Sequence, residues 1–107
     1  MSPRHRVKGR FEIDYADQAK EHLRALGAHR RARVVDAVDE RLSFEPGREN
    51  RNRKRMDENS LDAGFELRVG DLRVYYDIDE PQRLVHVLAI GEKNRDRVRI
   101  GGEEIDL

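Results

Sequence analysis

The stretch GFELRVGDLRVYYDI, Gly64 to Ile78, decides the fold. Phe65, Leu67 and Val69 alternate with Glu66 and Arg68, which is the period of a strand with one buried face. Gly70-Asp71 then supplies a two-residue turn whose first residue can take positive φ, as a type II′ hairpin requires. Leu72, Val74, Tyr76 and Ile78 continue the apolar face. The register that follows sets Val69 opposite Leu72, Arg68 opposite Arg73, Leu67 opposite Val74 and Glu66 opposite Tyr75. Two arginines directly opposite each other cost a sheet on the order of 0.2–1 kcal/mol, so the pair calls for an anion.

Outward from this hairpin, Asp79-Glu80-Pro81-Gln82 reads as a four-residue turn into a third strand, RLVHVLAI, apolar on both faces apart from His86 and therefore central. Carried through that turn, the register places Asp77 opposite Leu84, Tyr75 opposite His86 and Arg73 opposite Leu88. One face then holds Phe65, Leu67, Val69, Leu72, Val74, Tyr76, Val85, Val87 and Ala89. The other holds Glu66, Arg68, Arg73, Tyr75, Asp77 and His86, with Leu84 and Leu88 among them. Gly91 is expected to end or bulge the strand, and EKNRDRVRIGGEEIDL follows as a basic stretch, a Gly-Gly break and an acidic-apolar tail.

Upstream, Phe11 and Ile13 alternate with Glu12 and Asp14 as a short strand. Asp14 stands where a helix N-cap belongs, with Asp17 three residues on, so a helix is expected from Tyr15 to Leu26 or Gly27. Val34, Val38 and Leu42 form the stripe of a second helix over 30–43, and the short link makes the two an antiparallel hairpin. Pro46-Gly47 stops it, and 47–60 reads as a basic loop containing RENRNRKRM. The expected whole is one α+β domain over 1–107: a basic arm at 1–9, then a strand and helical hairpin packed on one face of an antiparallel sheet of about four strands.

Composition fits one small core: 107 residues, 41% charged, 36% hydrophobic, no Trp. Cysteine is absent, which excludes disulfides, thiolate metal sites and cysteine nucleophiles. No apolar run reaches the roughly 18–20 residues of a membrane span, so a cytoplasmic protein without membrane contact is expected. The net charge is zero, yet residues 1–55 hold 15 Lys+Arg against 9 Asp+Glu while 56–107 hold 7 against 13, giving +6 and −6. The basic excess can meet phosphate.

Two anions answer the arginine pair equally well. Locally, Glu66, Asp77 or the tail acids Glu103 and Glu104 can reach over; alternatively the guanidiniums hold a phosphate backbone through charge-assisted, forked hydrogen bonds. His86 beside Tyr75 admits proton transfer, although a histidine packed in the sheet is the more frequent outcome. His5, His22 and His29 show no ligand spacing, and neither a metal nor another cofactor is expected. The run Arg48 to Met56 is either a solvated loop or one wall of a nucleic-acid cleft, with Lys93, Arg95, Arg97 and Arg99 as the other wall.

The block NRKRM…FELRVGDLRVYYDID…VHVLAIGEKNRDRVRIGGEEI, Asn52 to Ile105, resembles the RelE/ParE superfamily of bacterial type II toxins, over about residues 10–105. The resemblance implies a RelE-like fold and a cognate antitoxin that wraps and blocks the toxin, with operator DNA reached only through that antitoxin. RelE-like members enter the ribosome and cut mRNA without metal, by attack of a 2′-OH on the adjacent phosphate. Carried over by position, Arg68, Arg73 and Lys93 match the family's basic residues, and Lys54 with Arg53 and Arg55 matches them by region. The implied catalytic set is Arg68, Arg73, Lys93 and Lys54, and the implied RNA contacts are Arg51, Arg53, Arg55, Arg95, Arg99, Tyr75 and His86. The chain departs from the pattern at Arg99, where active members place a tyrosine. Arg99, Tyr75 or His86 then takes its role, or the nuclease is weak or absent. The resemblance therefore implies a ribosome-dependent mRNA endoribonuclease, with a ParE-like inhibitor of DNA gyrase or a non-enzymatic partner of an antitoxin as alternatives.

Overall fold

The computed structural model describes residues 9–105. The expected arm at 1–9 lies, apart from Gly9, outside the described residues. The elements run β1 (Glu12–Tyr15), α1 (Asp17–Ala25), α2 (Ala28–Leu42), β2 (Arg53–Arg55), β3 (Phe65–Val69), β4 (Leu72–Asp79), β5 (Leu84–Asn94), β6 (Arg97–Ile100) and β7 (Glu103–Ile105). The order across the sheet is β2-β3-β4-β5-β6-β7, with β1 also on β5.

This is the expected α+β layout, with both helices on one face. The sheet is larger than about four strands and is mixed, because β1 runs parallel to β5. Three short strands escape the sequence pattern. β2 is the charged run RKR inside the expected basic loop, and its only signal is its pairing with β3. β6 and β7 form a hairpin because Gly101 and Gly102 both take positive φ, +60° and +82°, as a two-residue type I′ turn demands.

Hydrophobic burial fixes the layers. Ala19 and Leu23 of α1 and Val34, Ala37, Val38 and Leu42 of α2 meet Leu67, Val69, Leu72, Val74, Tyr76, Val85, Val87 and Ile90 in one cluster. Tyr76 closes it at one end by donating its hydroxyl to the Pro46 carbonyl at 2.7 Å, and burial pushes its pKa up to about 12. The helix start differs from expectation. Asp14 belongs to β1, and Ala16 takes the N-cap with no side-chain bond, because β1 must stay extended to pair with β5 through Tyr15. Gly27, at φ +80°, joins the two helices.

β5 organises the rest. It runs to Asn94, so Gly91 lies inside it rather than ending it, and a register shift opposite Tyr75/Tyr76 makes Leu88 an extra residue. One edge of β5 pairs with β1 over Leu84–Val87 and with β6 over Gly91–Asn94. In the gap, Gln18 donates to the Leu88 carbonyl at 2.9 Å and His22 Nδ1 accepts the Ile90 N–H at 3.1 Å. Side chains of α1 thereby stand in for a missing strand. The bulge also turns Ala89 to the face away from the helices and Ile90 into the core. A single extra residue reverses the pleat, so Ala89 leaves the face where regular alternation puts it.

Candidate functional site

The face of the sheet away from the helices collects the cations. Arg68 and Arg73 are directly opposite, as the turn at Gly70-Asp71 dictates. Gly70 takes φ +61° and Asp71 does not take positive φ, which is the type II′ arrangement. Gly91 is the next residue across from Arg73, and Lys93 lies two residues along β5 on the same side. Lys54, opposite Glu66 in the adjoining row, completes the group.

The two arginines have different fates. Arg73 is 8% exposed, and its Nη1 donates to the carbonyls of Gly70 at 2.8 Å and Leu72 at 2.9 Å. Curled onto its own turn, it supplies a fixed positive charge from below. Arg68 stays part-exposed, its Nε lies 3.7 Å from a Glu66 carboxylate oxygen, and that nitrogen makes no hydrogen bond. Glu66 is the acid that answers the pair. Asp77 is taken by the Gly64 N–H at 2.9 Å, and Glu104 by Arg97 at 3.0 Å. Asp71 and Glu92 are drawn to Arg30 of α2, at 3.1 and 2.5 Å. Lys54 and Lys93 have no ion pair among the described residues. Four cations thus face one carboxylate, and the excess positive charge is held on a rigid sheet.

Beside this charged end lies a second, smaller core. Ala63, Tyr75, Ala89 and Ile100 are buried together, with Met56, Leu61, Leu88, Val98 and Ile105 against them. The strap that brings Met56, Leu61 and Ala63 over the sheet is shaped by Asn59. Its amide donates to Asp57 O and Ala63 O, both at 2.8 Å, and accepts from Leu61 N and Ala63 N at 3.0 and 3.2 Å. Gly91 admits the packing from β6. A Cβ there would lie 2.9 Å from Val98 Cγ1 and 3.1 Å from Ile100 Cγ1. Tyr75 is wholly buried, its hydroxyl lacks a hydrogen-bond partner of good geometry, and burial, followed by the nearby Glu66 charge, raises its pKa.

The structure separates other residues that sequence brings together. Tyr75 faces Ala89, and His86 faces Asp77, so the expected Tyr75–His86 pair does not form. The turn begins one residue later than expected, at Glu80, which slides β5 by two residues; the bulge at Leu88 adds one more beyond it. His86 instead lies beside Asp14 of β1, Nδ1 to Oδ2 at 3.3 Å, at the far end of the face. Arg99 pairs with Glu92 and Glu104, on the helix side of the pleat. It lines a surface groove with Arg95, Arg97 and Glu104, away from Arg68. Arg53 also turns to the helix side, where Nη1 donates to Arg41 O at 2.7 Å and Glu45 O at 3.2 Å. Arg55 lies over the Phe65 ring at 5.0 Å, and Arg51 is exposed. No group of His, Asp or Glu suited to a metal ion occurs among the described residues, and none of their helices is long and apolar enough to cross a membrane.

Sequence reasoning missed the Asn59 strap and His22. The signal for the strap was present, since Asn between short polar residues favours side-chain to backbone turns. For His22 there was none, because its partner is a backbone N–H sixty-eight residues away.

The model of the family described as the ParE toxin of type II toxin–antitoxin systems, parDE, matches residues 13–97. Among solved structures, the chain is similar to the toxin–antitoxin complex RelBE2 from Mycobacterium tuberculosis, with 25% identity and a TM-score of 0.69 over 81% of this chain and 95% of that one. The fold is also that of the archaeal RelE–RelB complex from Pyrococcus horikoshii, at 20% identity and a TM-score of 0.64 over 79% of this chain and 97% of that one. No curated protein matches.

Proposed function

The chain belongs to the ParE toxin family within the RelE/ParE superfamily and is the toxin of a type II toxin–antitoxin system, and from that premise we propose that it stops translation by cutting ribosome-bound mRNA in the cytoplasm. The observation that carries this reading is the under-neutralised set Arg68, Arg73, Lys54 and Lys93 on one rigid face. A phosphodiester crowded by an attacking 2′-oxygen gathers negative charge on its non-bridging oxygens, and fixed cations stabilise that charge without reorganising. In the step itself the 2′-oxygen bonds to phosphorus, the P–O5′ bond breaks and water carries the proton from the 2′-OH to the departing 5′-oxygen. The products are a 2′,3′-cyclic phosphate and a 5′-hydroxyl. Arg68 and Lys93 hold the phosphate, Arg73 adds charge from beneath, and Lys54 binds along the strand.

A second reading, a ParE-like inhibitor of DNA gyrase, is favoured by one finding. The three candidates to replace the missing tyrosine lie away from the cations or are sealed: Arg99 on the opposite side of the pleat, His86 at the far end and the Tyr75 hydroxyl buried. Purified ribosomes programmed with mRNA, run beside a supercoiling reaction, separate the two. Cleavage of mRNA with supercoiling intact is the expected result. Inhibited supercoiling with intact mRNA establishes the gyrase reading, and absence of growth inhibition on expression leaves a partner that only binds its antitoxin.

A further inference from the structure

Phe44, just past the end of α2, is 48% exposed and is the large hydrophobic side chain most open to solvent among the described residues. A lone exposed ring is ordinary. This one sits in a groove of about 440 Å³ with Arg41, Arg51, Arg53, Asn50 and Asn52, against the single acid Glu40.

The groove is preorganised by backbone carbonyls rather than by acids, which leaves its charge uncancelled. Arg41 Nη1 donates to Arg68 O at 3.2 Å, and Arg53 Nη1 to the carbonyls of Arg41 and Glu45. Arg51 has no partner among the described residues. Asn50 uses Oδ1 to hold the N–H groups of Asn52 and Arg53, at 2.8 and 3.1 Å, and its amide nitrogen donates to no acceptor among the described residues. The Asn52 side chain makes no hydrogen bond among the described residues, while its carbonyl accepts the Arg68 N–H at 2.7 Å. The groove therefore adjoins the cation face through the backbone of Arg68.

An aromatic platform, guanidiniums for a backbone phosphate and amides able to read a base edge are what an unpaired nucleotide requires. We infer that the Phe44 groove binds one base of single-stranded RNA, stacked on the ring, on the strand whose scissile phosphate lies at Arg68. An acidic peptide would engage the arginines but leave the ring and the two amides without a role. The inference rests on the proposed RNA chemistry and extends it by a base-binding subsite on the helix side of the β2–β3 edge.

The chain contains no Trp, so Phe44→Trp gives a single fluorescent reporter in the groove. A short oligouridylate is expected to quench it, whereas an abasic oligomer of equal length binds without quenching. Phe44→Ala is expected to weaken oligouridylate binding on the order of ten-fold, the scale of one stacked base. Emission unchanged while oligouridylate binds overturns the subsite, as does quenching by polyglutamate equal to that by oligouridylate, which assigns the groove to an acidic peptide. If Arg68→Ala abolishes mRNA cleavage and the reporter stays silent, the subsite fails and the nuclease reading survives. Quenching by oligouridylate together with intact mRNA supports the subsite and removes the nuclease.

Discussion

The β3–β4 and β4–β5 hairpins obey their turns to different degrees, and the two ends of the candidate face follow from that difference. Between β3 and β4 the turn is two residues long, Gly70 takes the positive φ it needs, and every pair from Val69–Leu72 to Phe65–Tyr76 stays in step. That rigidity forces Arg68 against Arg73. Between β4 and β5 the loop spans Glu80 to Arg83, with Arg83 at φ +51°, and the strand beyond it carries a bulge at Leu88. A loop of that length tolerates a slip, and a slip of two residues keeps every side chain on its face. The tight turn therefore builds the cationic end, while the loose one carries His86 away to Asp14 and Asp77 at the other.

The sharpest way to break the tight hairpin is from its core. Leu67 is wholly buried opposite Val74, and Leu67→Ala is expected to cost about 2–5 kcal/mol in denaturant unfolding. Its turn comes next. Gly70→Ala places a Cβ at φ +61°, for a loss of about 1–2 kcal/mol. The counterpart in the loose hairpin is Asp79→Ala, which removes the carboxylate that holds Gln82 Nε2 at 2.8 Å and the Gln82 N–H at 3.2 Å. A loss of no more than about 0.5–1 kcal/mol is expected there, measured the same way. Equal losses for Gly70→Ala and Asp79→Ala would contradict the claim that one turn dictates register and the other follows it.

A smaller effect is written in pH. His22 Nδ1 must be unprotonated to accept the Ile90 N–H, and burial holds its pKa below the usual 6.5. The unfolded chain then takes up the proton first, so this contribution is complete above about pH 6.5 and declines as pH falls below it. Urea unfolding is expected to show lower stability near pH 5.5 than near pH 7.5, with the slope reduced in His22→Gln. An unchanged slope in that variant would show that His22 does not set this pH dependence.

Much of this was legible in the residues because local rules governed it. The FELRVGDLRVYYD hairpin, the stripe Val34-Val38-Leu42 and the link at Gly27 each depend on neighbours in sequence. What escaped depends on partners far along the chain. β2 is a strand only because β3 offers an edge to RKR, and Asp14 stays out of α1 only because β5 holds it extended. The bulge at Leu88 decides that Ala89 rather than Leu88 meets Tyr75, and nothing local announces it. The same split runs through the site. Arg68 and Arg73 followed from the turn, whereas the turning of Arg99 to the helix side required the register of β6 on β5.

In the proposed reading the cationic end of the face, and not the His86 end, acts on RNA. Cleavage of ribosome-bound mRNA by Arg68→Ala and by His86→Ala, against the unmodified chain, tests it directly. A rate lower by about 100-fold or more is expected for Arg68→Ala, the scale of one lost electrostatic contact to the transition state, and an unchanged rate for His86→Ala. Loss of cleavage on removing His86 with Arg68 dispensable, or no cleavage by the unmodified chain, would contradict it.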